Sequence, residues 1–186
     1  MKKTIFILLL CLASVSVQAQ EGFSYSAELV AGVGFGKGPL FSVTPEFVVQ
    51  YELDGGFKAG VGAGLRYARP CTLYTINEDG THSRSFNSEL DLPVFLRLGY
   101  GAGWLFAQVD GGYSIGAPTL FSHLDVGLHG FFVEPQLGCK IGDHSALAVG
   151  VLMHQNTLTI SHLAEGTSES RKVLAPAVTL RYAVLF

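Results

Sequence analysis

The chain has 186 residues, 12 of them basic and 15 acidic, with 48% hydrophobic residues and only 3 cysteines. That length permits one domain, and no linker, composition break or internal repeat divides it. The acidic balance excludes a nucleic-acid binder, and the cysteine and histidine spacings exclude a zinc site.

The N-terminus reads as an export leader. Lys2 and Lys3 form a basic start, Ile5 to Ala13 is apolar, and Val17-Gln18-Ala19 supplies small residues for cleavage before Gln20. A lipoprotein reading of Cys11 fails because Leu10 stands where a small residue is needed. The expected organisation is a cleavable signal peptide over 1–19 and a barrel domain over 20–186. Loss of Lys2 and Lys3 leaves ten of the 12 basic residues against 15 acidic ones, a net charge near −5. After the leader, no apolar run approaches the roughly 18 to 20 residues that a spanning helix needs. Any membrane crossing falls to strands.

Period-two alternation then recurs in segments long enough to cross a bilayer as tilted strands, about 9 to 11 residues each. Phe23 to Phe35 puts Tyr25, Ala27, Leu29 and Val33 against Ser24, Ser26 and Glu28. Phe41 to Leu53 puts Phe47, Val49 and Tyr51 against Ser42, Thr44, Glu46 and Glu52. Phe57 to Tyr67 sets Val61 and Leu65 against Lys58, Arg66 and three glycines. Leu90 to Tyr100 sets Leu90, Leu92, Val94, Leu96, Leu98 and Tyr100 against Asp91, Pro93, Phe95 and Arg97. Leu105 to Ser114 opposes Val109 and Tyr113 to Gln108 and Asp110. Phe131 to Ile141 opposes Val133 and Leu137 to Glu134, Gln136 and Lys140. Leu147 to Gln155 alternates less cleanly. Leu174 to Phe186 alternates throughout, with Thr179 and Arg181 opposite Leu180 and Tyr182.

The intervening connections alternate in length. Asp54-Gly55-Gly56, Gly101-Ala102-Gly103 and Gly142-Asp143-His144 are tight, whereas Pro70 to Asn87, Gly116 to Leu128 and Ser161 to Lys172 are longer and more polar. Short periplasmic turns and long outer loops belong to an outer-membrane barrel. Lys37 to Leu40, a short outer connection, is the exception. Aromatic residues gather toward strand ends (Phe23, Tyr51, Phe57, Tyr100 and Trp104 among them), as interfacial girdles require. The fold expected is therefore all-β: a closed antiparallel up-and-down transmembrane β-barrel of about eight strands, at the small end of the size range. A water-soluble barrel with the apolar face inward is the competing arrangement. Glycines on the polar face, alternating turn lengths and the terminal aromatic speak against it.

The stretch Glu89-Leu90-Asp91-Leu92-Pro93-Val94-Phe95-Leu96-Arg97-Leu98-Gly99-Tyr100 resembles the strand of PorT-like outer-membrane β-barrel proteins in which a Leu-x-Ile-Pro motif precedes alternating apolar and basic residues. That resemblance implies a barrel accessory to secretion or envelope assembly. The terminal Arg181-Tyr182-Ala183-Val184-Leu185-Phe186 is similar to the signal read by the outer-membrane insertion machinery, with Tyr182 and Phe186 as its aromatic positions.

The polar faces supply one candidate site. Glu28, Glu46, Lys58, Arg66, Asp91, Arg97, Asp110, Glu134, Lys140 and Arg181 share the lumen in near-balance of charge, which predicts a closed ion-pair network. Its reading as a structural plug competes with a narrow channel. The loops supply a second candidate, with Tyr74, His82, Arg84 and Phe86 as contact residues able to stack and to make polar contacts. Catalysis is not expected. His82 beside Ser83, His123 beside Ser122, and His154 and His162 near the outer end leave a lipid-modifying barrel enzyme as the alternative. Gly32 to Gly38 lacks the spacing, the Ser or Thr and the following helix of a phosphate loop. No cofactor or metal is expected. The partners expected are outer-membrane lipids, the insertion machinery and an envelope protein, with the bacterial outer membrane as the location.

Overall fold

The computed structural model describes residues 22–35, 40–76, 82–116, 130–162 and 167–186, and within them the side chains of 70–89, 156–171 and 173 are not described. The leader and its cleavage position fall outside the described residues.

The chain forms β1 (Phe23–Gly34), β2 (Phe41–Glu52), β3 (Phe57–Gly64), β4 (Arg66–Ile76), β5 (His82–Ala102), β6 (Leu105–Gly116), β7 (Gly130–Lys140), β8 (Ser145–His162) and β9 (Thr167–Leu185). β3 and β4 are two halves of one stave interrupted at Leu65, because both pair with β2 on one side and with β5 on the other. Every neighbour along the chain pairs antiparallel. The ring closes where β9 pairs with β1 from Ser26↔Leu185 to Gly34↔Ala177. The result is a closed barrel of eight staves, which leaves the main chain no open edge over the barrel's height.

Turn chemistry sets one end. The tight connections hold Gly55 at φ 80, Gly56 at φ 87, Gly103 at φ 64 and Gly142 at φ 73, a backbone region that side chains with a Cβ rarely adopt. This short-turn end also holds Cys139, while Cys71 belongs to β4 near the opposite end, so the two cysteines are too far apart along the barrel to pair.

The opposite, long-hairpin end departs from the expected loops. Pro70 to Asn87 and Ser161 to Lys172 are largely strand. β4 and β5 continue as a hairpin to Ile76↔His82, past an irregularity between Ala68 and Cys71. β8 and β9 continue to His162↔Thr167. Hydroxyl and β-branched residues there favour extended backbone. The two hairpins also meet: Thr75↔Ser161 and Ile76↔His162 pair in parallel. β4 and β8 are opposite staves of the ring and both run toward this end, so a parallel contact is the one their directions permit. A four-stranded sheet, β9-β8-β4-β5, thus bridges the end of the barrel.

Burial alternates along each stave, with polar groups inside. Leu96 is 66% exposed and its neighbour Arg97 is 1% exposed. β8 alternates cleanly after all: Ala146, Ala148, Leu152 and His154 are buried, and Val149 and Val151 face outward. Its signal is weak in sequence because small and apolar residues occupy both faces.

Candidate functional site

The outer surface decides what surrounds the barrel. Leu29, Val61, Leu96, Leu98, Leu137, Val149 and Leu180 form an exposed apolar band. Rings flank it: Phe23 against Tyr51 and Phe57 against Tyr100, both at 4.9 Å, with Trp104 and Phe186 at the short-turn end, and Tyr113 against Phe131 at 5.0 Å at the other. Water would penalise such a surface, whereas hydrocarbon favours it and interfacial rings anchor its rims. This is a transmembrane β-barrel, and the soluble arrangement with its apolar face inward is excluded.

Inside, the chemistry is layered. The central layer begins with two unfavourable register pairs: Glu28 stands directly across from Glu46, and Asp110 from Glu134. Like charges so placed repel unless cations bridge them. Arg181 enters from β9 and does this for all four. Its Nη1 donates to Glu28 and Glu46, and its Nη2 donates to Asp110 at 3.2 Å and Glu134 at 3.3 Å. Arg97, from β5, grips two of them through paired bonds, Asp110 at 2.7 and 2.8 Å and Glu28 at 2.6 and 3.0 Å. Such fork-to-fork contacts fix orientation as well as charge. The remaining acceptor capacity is met by hydroxyls and amides. Ser26 donates to Glu28 and Thr179 to Glu134, each at 2.6 Å, and Gln136 donates to Asp110 at 2.8 Å. One cluster therefore ties together β1, β2, β5, β6, β7 and β9.

A second polar layer lies toward the long-hairpin end. Arg66 and Asp91 are directly paired across β4 and β5, with bonds of 3.0 and 2.5 Å. The same guanidinium donates to Ser114 Oγ at 3.0 Å and lies 3.2 Å from His154 Nε2. Because a guanidinium can only donate, that imidazole nitrogen acts as the acceptor. Between the two layers sits an apolar cluster of Val48, Phe95, Phe132 and Leu152. Phe95 fits there because its cross-strand neighbours are glycines. A Cβ at Gly62 would stand 2.3 Å from the Phe95 ring, and one at Gly112 would stand 2.7 Å from its Cβ.

The expected single network thus needs correction. Glu28, Glu46, Arg97, Asp110, Glu134 and Arg181 converge, two guanidiniums against four carboxylates rather than a near-balance. Arg66 and Asp91 form their own cluster beyond the apolar layer. Lys58 pairs with Glu52 at 2.9 Å at the short-turn rim, and Lys140 is exposed at the end of β7. Sidedness does place both lysines at the lumen, but at its short-turn mouth, where they line the vestibule below the central layer instead of joining that layer's ion pairs. Below the central layer the lumen opens into a vestibule of about 250 Å³ at the short-turn end, floored by Glu28, Arg97 and Arg181.

Ser26, Ser114, Gln136, His154 and Thr179 complete these clusters, and the sequence carried one signal for them: they share strand parity with the charges. Of the histidines weighed for catalysis, His154 is inside the barrel. Asp91, Ser114 and His154 gather around Arg66, whose guanidinium contacts all three and engages His154 at Nε2. His123 and Ser122 fall outside the described residues. Tyr74, His82, Arg84 and Phe86 lie on the β4–β5 hairpin, their side chains outside the described residues. Tyr182 and Phe186 face outward on β9, and the Phe186 N–H donates to the Tyr25 carbonyl at 2.9 Å, joining the C-terminus to the ring closure. Among the described residues no group of side chains could hold a metal ion.

No family model and no curated protein matches the chain. It is similar to a solved structure described as "De novo design of transmembrane beta-barrels", at 12% identity and a TM-score of 0.49, over 90% of this chain and 98% of that one.

Proposed function

We propose that the protein is an integral bacterial outer-membrane barrel that neither conducts solutes nor performs catalysis, and that it acts by presenting the sheet at its long-hairpin end, on the outside of the cell, to a protein partner. The PorT-like strand around Pro93 supports an accessory role in secretion or envelope assembly. One observation carries the reading: opposite hairpins leave the barrel and join into a four-stranded sheet. Ordering that much backbone in water costs conformational entropy that the barrel does not need for its own closure. Beneath the sheet, two ion-paired layers and an aromatic layer fill an interior that in eight-stranded barrels is just wide enough for side chains. That supports a scaffold over a channel. The engagement of His154 by Arg66 supports the same scaffold over a lipid-modifying enzyme.

The test places photo-reactive residues at Thr75 and Ser161 in native outer membranes and identifies what is captured at matching stoichiometry after mild extraction. A defined envelope protein caught from both positions is the expected result. Solitary elution with no crosslink at either position would overturn the reading. Stepwise conductance in planar bilayers would replace it with a channel, and lipid masses that change on overexpression and revert with His154→Ala would replace it with an enzyme.

A further inference from the structure

We propose that the outward edge of β9 over Thr167–Ala175 is a strand-addition site for an extended, acidic segment of another protein. The inference rests on the partner-binding reading above and names where and how the partner docks.

The edge is defined by the main chain. On its β1 side, β9 is paired only as far as Gly34↔Ala177, where the Phe35 N–H donates to the Pro176 carbonyl at 2.9 Å. On its β8 side, pairing runs on without a break to His162↔Thr167. A strand residue sends its N–H and C=O to one side, and successive residues alternate sides. Leu185 bonds toward the β8 side, through the His144 carbonyl, while Pro176 and Phe186 bond toward β1. With the register unbroken, Ser168, Ser170, Lys172 and Leu174 send their N–H and C=O groups away from β8, toward a side on which the described residues offer no partner. Residues 36–39, which join Phe35 to Leu40, span at most about 14 Å even if fully extended, whereas the nine-residue edge runs about 30 Å. A connection of that length is too short to span the whole edge.

An open strand edge is a template for another strand. Two occupants are sterically equivalent, a second copy and a foreign segment, and charge separates them. A second copy in the same membrane, related by a twofold axis along the membrane normal, runs its β9 parallel to this one. Lys172, exposed on this edge, then stands abreast of its own copy, and like charges at such positions repel. The Lys172 ammonium that disfavours self-pairing favours a segment with a carboxylate at the facing position. One charge thus acts as protection against one partner and selection for another.

The experiment uses the full chain in lipid nanodiscs, with fluorescent octapeptides of alternating Thr/Glu or Thr/Lys as probes. The acidic peptide binds and the basic one does not. Ser170→Pro, which deletes one edge N–H and no β8 bond, weakens binding by about tenfold or more, a difference of about 1.4 kcal/mol. Lys172→Glu, which leaves the backbone untouched, reverses the charge preference. Binding that survives Ser170→Pro, lack of charge preference, or no binding of either peptide overturns the proposal. A dimer in the nanodisc-free detergent state that Ser170→Pro dissolves also overturns it, in favour of a second copy. Crosslinking at Thr75 and Ser161 that persists in Ser170→Pro would leave the partner-binding function standing while this edge falls.

Discussion

Arg181 is bonded to carboxylates from four strands, Arg97 to carboxylates from two, and Arg66 to one carboxylate, one serine and one histidine. The energetic consequence follows from what each truncation would strand. Deleting one partner of a buried pair costs about 3–5 kcal/mol because the other charge is left without compensation. Arg66→Met and Arg97→Met are expected near the lower end of that range and Arg181→Met at or beyond the upper end. Urea unfolding of the detergent- or bilayer-embedded barrel, followed by strand signal and gel mobility, reads the ordering. Adding Glu134→Gln to Arg181→Met should recover part of the loss, since it removes one stranded charge. An equal, small cost for all three arginines would show that water reaches the lumen and that the layers are not closed. At this scale strand parity told which side chains are inside, so Arg97, Asp110 and Glu134 were legible. Height along the barrel is not legible, because it depends on strand stagger, and so parity alone does not separate Lys58 and Lys140 at the mouth from the charges that pair in the central layer.

The staves show where alternation is informative and where it fails. β1, β5 and β9 alternate so strongly that their inward faces could be read directly. β8 hides its register because Ala146, Ala148 and Leu152 on the buried side are as apolar as Val149 and Val151 outside. Phe132 was hidden for the same reason between Phe131 and Val133. The hairpin extensions are not legible as strands because their serine- and threonine-rich sequences carry no apolar period. Packing between staves yields a prediction at this scale. Phe95 lies against Gly62, so Gly62→Ala forces the ring from its place and should cost about 1–3 kcal/mol. Phe95→Leu removes the ring atoms that the new methyl meets, so Gly62→Ala should cost less in that background than alone. A double-mutant cycle on unfolding midpoints gives the coupling, and purely additive effects would mean that the ring and Gly62 do not touch. A parallel change at the short-turn end, Gly142→Ala, has no packing conflict but forces a Cβ into φ 73, and should cost about 1–2 kcal/mol.

For the molecule as a whole, the decisive property is polarity reversed from that of a soluble barrel, and it makes an opposite prediction for the same surface mutation. On a soluble barrel a lysine at a 66% exposed position would be nearly neutral or would improve solubility. At Leu96, in the middle of the apolar band, Leu96→Lys should instead cost about 2–4 kcal/mol, because the ammonium must enter hydrocarbon or drag water after it. Trp104, equally exposed but at the rim, should accept lysine at a cost of about 0–1 kcal/mol from charge burial, plus whatever its interfacial ring contributes. Refolding into bilayers of different thickness extends the comparison. In thinner bilayers the ammonium at Leu96 comes closer to the headgroups and its penalty should shrink, while the lumen variants, whose cost arises inside the protein, should hardly respond. If the Leu96→Lys penalty were absent in every bilayer, the apolar band would not face lipid, and its burial would have to be sought against another protein surface.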